Sequence, residues 1–547
     1  MKNRIETEID KLPLCAAEYI RLVIKKMRYR KSARRDVRAE LTAHFEDELK
    51  DCATAELREQ KARQIISEFG DAKLLGILLR RAKKRCRPIW QKAMVRSLQI
   101  LGVVFLYLIL CVSPLLVGRP TVSVDYVERL NELVRAGRDD ADNARPYYER
   151  AVELYVETPQ WLNSSTVDWP ADFNNVEMRS LVECLEKNKQ AFEELRKATE
   201  HPYYWNHYQK RSQANLSAVL MPNVMQSLST YRRLARTMRW LIRYEAYNGN
   251  IDSALKDCIV LQKFGNHLQG KGLLIDQLVG VSIEALAFDG ICMVLYKTEV
   301  SADTLKMLQK ELSKQFKKQE TIIDPDVEKV FWYDQIQRTF TDDGKGDGRV
   351  LMRGLPYAVA DWKDILQVMR FSYPSRREVV AKIDGFFEQA NEFFYRTPWD
   401  LRNDDTDKEK WNETLQQIGP MLSILEPTFR RVSQLAWRLE THRRGILTIA
   451  TVMWYRKDRD HYPDNLNELI STGYLDSLPM DPFSGKPLVY KKTGDGFVLY
   501  SIGEDFKDDG GVMGRDRQGR PKMWADNGDW VFWPVPEFKQ EHSADSE

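Results

Sequence analysis

The residues of this chain whose types and spacing could do chemistry stand near its end, around YSIGEDFKDDGG, Tyr500 to Gly511. Asp505, Asp508 and Asp509 crowd one turn there. Asp526 and Asp529 return from its far side, just before the apolar run WVFW. Carboxylates are hard oxygen donors, and calcium takes about six to eight oxygens, from side chains and backbone carbonyls, at about 2.3–2.6 Å. Gly510 and Gly511 permit the curvature such a loop needs. Five acids this close repel one another unless a cation or solvent screens them. A calcium site formed by Asp505, Asp508, Asp509, Asp526 and Asp529 satisfies the pattern. So does a solvated acidic turn, neutralised by Arg515, Arg517, Arg520 and Lys522 of the neighbouring RDRQGRPKMWA.

The elements that must position these acids begin after about residue 440. A helix is expected from about Arg444 to Lys457, broken at Tyr462-Pro463, and a second, short one within DNLNELISTGYL. PLVYKK and GFVLYSI alternate as strands joined by a tight turn at Thr493 to Gly496, and DWVFWPV, Asp529 to Val535, reads as a third strand. In order, this stretch carries YRKDRDHYP, LNELISTGYL, LPMDPFSGKPLVY and LYSIGED followed by DDGG. It resembles the globular end of the type II secretion pseudopilins, in whose major members the corresponding loop often binds calcium. The resemblance implies a small α+β module. Pseudopilins carry their apolar helix at the very N-terminus after a prepilin cleavage site. This chain has no such site, and its apolar run lies hundreds of residues upstream of the module, so the module looks borrowed.

That apolar run is SLQILGVVFLYLILCVSPLLVG, Ser97 to Gly118, which contains no charge. About 20 residues at a rise of about 1.5 Å match a hydrocarbon core about 30 Å thick, so one transmembrane helix is expected. Before it stands RRAKKRCRPIWQKAMVR. After it Arg119 is close, and Asp139, Asp140 and Asp142 follow. Positive charge stays cytoplasmic, which places the N-terminus inside and everything after about residue 118 outside. A cleaved signal peptide is not expected, because a folded-looking segment precedes the run. Residues 1–97 carry 25 Lys/Arg and 14 Asp/Glu, a net of +11, which leaves −8 for the rest of a chain whose total is +3. The basic run next to the span reads as an anchor to anionic lipid headgroups rather than a nucleic-acid site.

Ahead of the span, RRDVRAELTAHFEDELKD sets Val37, Leu41, Phe45 and Leu49 on one helical stripe. EQKARQIISEFGDAKLLGILL does the same with Ile65, Phe69 and Leu74, interrupted at Gly70, with Asp71 able to cap a restarting helix. RRDVRAELTAHFED, Arg34 to Asp47, and the later FGD resemble the helical signalling domains associated with PadR-type regulators and the permease-prefix domains. That resemblance implies a contact with a protein partner rather than catalysis. His44 reads as a helix-surface or capping residue.

From about 123 to 457 helical spacing dominates. NARPYYERAVELYVE aligns Tyr148, Ala151 and Leu154. RWLIRYEAYNGNIDSALKDCIVLQKFGNHL resembles one tetratricopeptide-type hairpin, with Ala246, Gly249 and Ala254 as small packing residues and Asp252 or Ser253 as the cap. No second copy follows, so an irregular helical array is expected. The loop TDDGKGDG fails as a calcium loop of the EF-hand kind, because counting from Asp343 puts Lys345 and Gly354 at ligand positions, and it reads as a polar turn. HPYYWNHY reads as core packing, and Glu388 and Glu392 as a solvated face. No cysteine or histidine pair has metal-ligand spacing. Cys184, Cys258 and Cys292 beyond the span allow one disulfide at most.

The expected fold is mainly α. It comprises a cytoplasmic helical interaction domain (1–80), a basic linker (81–96), a transmembrane helix (97–118), an irregular α-helical body outside the cytoplasm (119–440), a pseudopilin-like α+β module (441–538) and a tail (539–547). The function expected is a non-enzymatic scaffolding, sensing or secretion-associated role in a bacterial inner membrane. The alternative is a cell-envelope hydrolase with its site in the helical body. No catalytic residue is assigned.

Overall fold

Apolar residues at helical spacing need a partner face, and the chain meets that need in two compact units, residues 1–110 and 111–547. The computed structural model describes residues 9, 11–85, 89–164, 169–208, 221–316, 323–351, 374–403 and 425–535. Over these the protein is mainly helical.

The first unit holds α1 (Leu14–Met27), α2 (Lys31–Glu48), α3 (Ala55–Phe69) and α4 (Ala72–Arg85). Val37, Leu41, Phe45 and Leu49 are buried in one cluster with Ile20, Val23 and Met27 of α1. Gly70 breaks the chain between α3 and α4 at φ +72°, a backbone that favours glycine. The Asp71 carboxylate then accepts the amides of Lys73 (2.7 Å) and Leu74 (2.8 Å), capping α4. Leu74 departs from the expected stripe. Gly76 lies so close to the Val23 carbonyl that α4 turns its Ala72–Gly76 face to α1, and Leu74 points away, 59% exposed. Next comes α5 (Ile89–Leu116), whose stretch Ala93–Leu110 has a mean hydropathy of 2.0 and buries nothing.

The second unit continues with α6 (Tyr126–Arg135), α7 (Arg145–Leu154), α8 (Gln160–Ser164), α9 (Asn175–Lys187) and α10 (Lys189–Ala198). At its centre stand α11 (Met221–Tyr247), α12 (Ile251–Leu268) and α13 (Leu274–Lys297). Gly249 turns the chain between α11 and α12 at φ +85°, with Ala246 and Ala254 buried beside it. The cap differs from expectation, since Asp252 accepts the Thr304 hydroxyl (2.6 Å) instead of closing α12. Helices α12 and α13 touch backbone to backbone. A Cβ on Gly265 would lie 2.6 Å from the Glu284 amide, and one on Gly280 would lie 2.5 Å from the Gly265 carbonyl.

Outside that pair lie α14 (Ala302–Phe316), α15 (Asp326–Thr339), α16 (Arg376–Tyr395) and α17 (Pro398–Leu401). TDDGKGDG is a polar turn held by its own side chains. Asp342 accepts the Gly344 amide and pairs with Arg376 at 2.7 Å. Tyr204, Trp205 and Tyr208 are core residues, Glu388 and Glu392 are exposed, and Cys184, Cys258 and Cys292 are buried free thiols.

Helix α18 (Leu425–Arg459) starts well before the expected Arg444, runs through residue 440 and packs against α13 and α14. After α19 (Asn467–Ser471) come β1 (Val489–Lys492), β2 (Phe497–Ser501) and β3 (Trp530–Trp533), an antiparallel sheet in the order β1-β2-β3 with a bulge at Leu499/Tyr500. Gly445 lets α18 approach the Phe532 ring, and His442 stacks on that ring while meeting Phe288 and Trp524 edge-on. One apolar cluster therefore runs from Val127 on α6 to Trp533 on β3.

Candidate functional site

In the acidic loop the five aspartates do different jobs. Asp529 is fully buried where the chain enters β3. Its carboxylate accepts the amides of Asp509 (3.3 Å) and Gly511 (2.6 Å), while its own amide donates to the Val512 carbonyl. Asp529 thus ties the loop to the sheet edge. Burial, together with the charges of Asp508 and Asp509, raises its pKa against the pull of those two amides. Asp508 is exposed and accepts the Tyr500 hydroxyl (2.8 Å) and the Gly510 amide (2.9 Å), which together hold its pKa low. Asp505 accepts the Lys507 amide (3.1 Å). Asp509 and Asp526 are exposed. Gly510 and Gly511 sit at φ +80° and +91°.

Two of the basic residues expected to neutralise the loop, Arg515 and Arg520, are occupied elsewhere. Arg515 donates to the Gly519 carbonyl (2.7 Å), and Arg520 pairs with Asp516 at 2.9 Å. Lys491, on β1, donates to the Gly510 carbonyl (3.2 Å) and lies 5.0 Å from the Tyr500 ring centre. Among the described residues, no three or more carboxylate, imidazole or thiol side chains converge as a metal would require. Of the five aspartates, Asp508, Asp509 and Asp529 are the members that act on one another.

A second cluster escaped sequence reasoning. Asp276, in the first turn of α13, accepts the Tyr208 hydroxyl (2.9 Å) and the Leu273 amide (3.2 Å) on one oxygen, while its other oxygen is buried without a hydrogen-bond partner. Glu328, in the first turn of α15, accepts the Leu274 amide (3.2 Å). Both carboxylates therefore meet the amide-rich, partly positive end of α13. The side chain of Gln277 joins Gly272 to Asp324 close by. Burial pushes Asp276 up to about 6 and Glu328 up to about 7. Tyr148, Tyr204 and Tyr231 pack as neighbouring rings, and the Tyr148 hydroxyl meets His267 Nδ1 at 2.8 Å. Acids that keep a proton near neutrality are suited to general acid–base chemistry. Residues 208, 276 and 328 are far apart in sequence. The one local signal was an acid three residues into an apolar helix.

A third group joins α13 to α18. Arg443 of α18 is 2% exposed and grips Glu284, 0% exposed, through two hydrogen bonds of 3.0 and 2.8 Å. It also reaches Glu440 (2.6 Å), which in turn holds Arg444, and Gln269 donates to Glu284 (2.6 Å). Burial opposes the charge on Arg443, but Glu284 and Glu440 outweigh it and raise its pKa. Arg444 continues to the Met480 carbonyl. Nearby, Asp481, 1% exposed, accepts the Ser501 hydroxyl (2.9 Å) and the Phe483 amide (3.0 Å), and so pins the PMDPFSG turn to β2.

Comparison with known proteins supplies no relative. No protein-family model matches the chain, and neither a curated protein nor a solved structure does. Among the described residues two helices are long and apolar enough to cross a membrane, Ala93–Leu110 within α5 and Leu274–Lys297, which is α13.

Proposed function

We propose that this chain is a single-pass protein of a bacterial inner membrane, anchored by α5, with its N-terminus cytoplasmic and the unit after the span outside. Its role in this reading is to scaffold, to sense or to serve secretion. One contrast carries the reading. Helix α13 is 67% buried by its own protein and keeps Gln277 and Glu284 hydrogen-bonded inside it, as a core helix does. The apolar stretch of α5 is 0% buried among the described residues, and in this reading lipid is its partner. The basic run from Arg80 to Arg96 supplies the orientation. The partner-contacting head and the pseudopilin-like order of motifs after Tyr455 support a scaffolding or secretion role. A calcium ion at the Asp505–Asp529 loop belongs to the same reading. The test is a pair of reporter fusions to the full chain, one ahead of residue 80 and one after Glu547. Activity characteristic of the cytoplasm is expected only from the first. Cytoplasmic activity of the second would sink the topology.

An envelope hydrolase is the second reading, favoured by Asp276 and Glu328, two buried carboxylates that hold protons near neutral pH. It predicts turnover of a glycan or peptide that Asp276→Asn and Glu328→Gln each abolish in folded protein. Turnover untouched by both changes would remove it.

A further inference from the structure

Helix α4 is apolar on two sides. Ala72 and Gly76 face α1, where a Cβ on Gly76 would meet the Val23 carbonyl at 2.9 Å and the Met27 amide at 3.2 Å. Turned away from that contact are Leu74 (59% exposed), Ile77 (37%) and Leu78 (51%). At about 100° per residue these three side chains share one stripe, and Arg81 and Arg85 extend it toward the C-terminal end of α4, with Arg80 and Lys84 on its flank. All four of these basic residues are exposed. The helix AKLLGILLRRAKKR contains no acid.

We propose that this second face of α4 lies on the membrane surface, with Leu74, Ile77 and Leu78 entering the boundary between headgroups and acyl chains and Arg81 and Lys84 meeting anionic headgroups. The proposal rests on the reading of α5 as the membrane span. Three features select lipid as the occupant. First, only three residues separate Arg85 at the end of α4 from Ile89 at the start of α5. Consecutive Cα atoms are about 3.8 Å apart, so those two ends lie within about 15 Å of each other, which keeps the C-terminal end of α4 close to the base of the span. Second, an acid-free, Lys/Arg-rich helix complements the negative cytoplasmic leaflet, where each basic residue adds to binding. Third, three aliphatic side chains are too small a patch for a stable protein interface, which needs about 800 Å² per partner, whereas an interfacial helix needs only a stripe. The first unit is then a head held flat beneath the bilayer by α4.

The experiment uses the full chain in nanodiscs of phosphatidylcholine, with or without phosphatidylglycerol, carrying a photoactivatable group on the lipid acyl chain. Labelled peptides are mapped by mass spectrometry. Expected is labelling at both 74–78 and 93–110, the former stronger when phosphatidylglycerol is present. Leu74→Ser/Ile77→Ser/Leu78→Ser alters exposed positions and should remove the 74–78 label while keeping the 93–110 label. Arg81→Glu/Lys84→Glu should lower labelling at 74–78 by roughly tenfold in phosphatidylglycerol discs, with little change in phosphatidylcholine alone. Label at 93–110 with none at 74–78 overturns the proposal and leaves the membrane reading standing. No label at either place defeats both. Two chains per disc that separate on the triple serine change would make this face a contact between copies, and would overturn the proposal too.

Discussion

Arg443 on α18 and Glu284 on α13 face each other through two hydrogen bonds of 3.0 and 2.8 Å, with almost no solvent on either side chain. Glu284 sits in the middle of a helix apolar enough to cross a membrane. A buried pair loses far more when one partner is removed than when both are replaced by apolar groups, because the survivor is left charged and unpaired. Arg443→Met should destabilise the second unit by about 3–5 kcal/mol, and Arg443→Met with Glu284→Leu should recover much of that loss. Urea unfolding of the detergent-solubilised chain, followed by tryptophan fluorescence, measures both. Equal losses in the single and double variants would contradict the pairing argument.

Asp276 and Glu328 bind a proton more tightly in the folded protein than in the unfolded chain, where carboxyl groups titrate near about 4. Their stabilising contribution is therefore full below about pH 4. It is lost as pH rises through about 6 for Asp276 and about 7 for Glu328. Asp276→Asn or Glu328→Gln removes the titration while keeping an acceptor for the same amide. Each should raise stability by about 2–3 kcal/mol above about pH 8 and change little near pH 4. Urea midpoints across that range check this. Parallel pH profiles for wild type and both variants would refute it.

Glycine plays opposite parts at two helical positions. Gly265→Ala drives a methyl into the α13 backbone and should cost about 1–3 kcal/mol. Gly385→Ala on α16 meets nothing within 4 Å and should gain up to about 1 kcal/mol through helix propensity. The same unfolding measurement should move in opposite directions for the two changes.

The calcium reading of the acidic loop predicts a stability gain of about 2.7 kcal/mol in calcium at one hundred times Kd. Asp508→Ala/Asp509→Ala should erase that gain while leaving the melting temperature in chelator almost unchanged, and magnesium should substitute poorly. The measurement belongs on the full chain, because the sheet shares one apolar cluster with the helical body. Overlaid melting curves in calcium and chelator at matched ionic strength would return the loop to a solvated turn.

Asp529→Asn probes the other role in that loop, the hold on the Asp509 and Gly511 amides. Asparagine keeps one acceptor and loses the charge, so a cost of about 1–2 kcal/mol is expected with or without calcium. A cost that appears only in calcium would make Asp529 a ligand rather than a tie.

By itself the sequence determined what depends on neighbours along the chain. Apolar spacing set the stripe of Val37, Leu41, Phe45 and Leu49, Gly70-Asp71 set the break and cap before α4, and alternation with the Thr493–Gly496 turn set the β1–β2 hairpin. The charge-free run within α5 was equally legible. Tertiary structure decided what depends on partners far away in the chain. Leu74 left the core because Gly76 fixed which face of α4 meets α1. Asp252 became a tie to Thr304 rather than a cap. Asp529 was buried and the other acids of its loop were not, which parted five similar residues into different roles. Asp276 and Glu328 gained raised proton affinity only when α13 and α15 brought them together out of water. Helix α13 and the run within α5 look alike to hydropathy, since composition cannot say whether the apolar partner is protein or lipid. The packing of α12 and α18 around Glu284 gives α13 its partner within the protein, while among the described residues nothing buries the apolar stretch of α5.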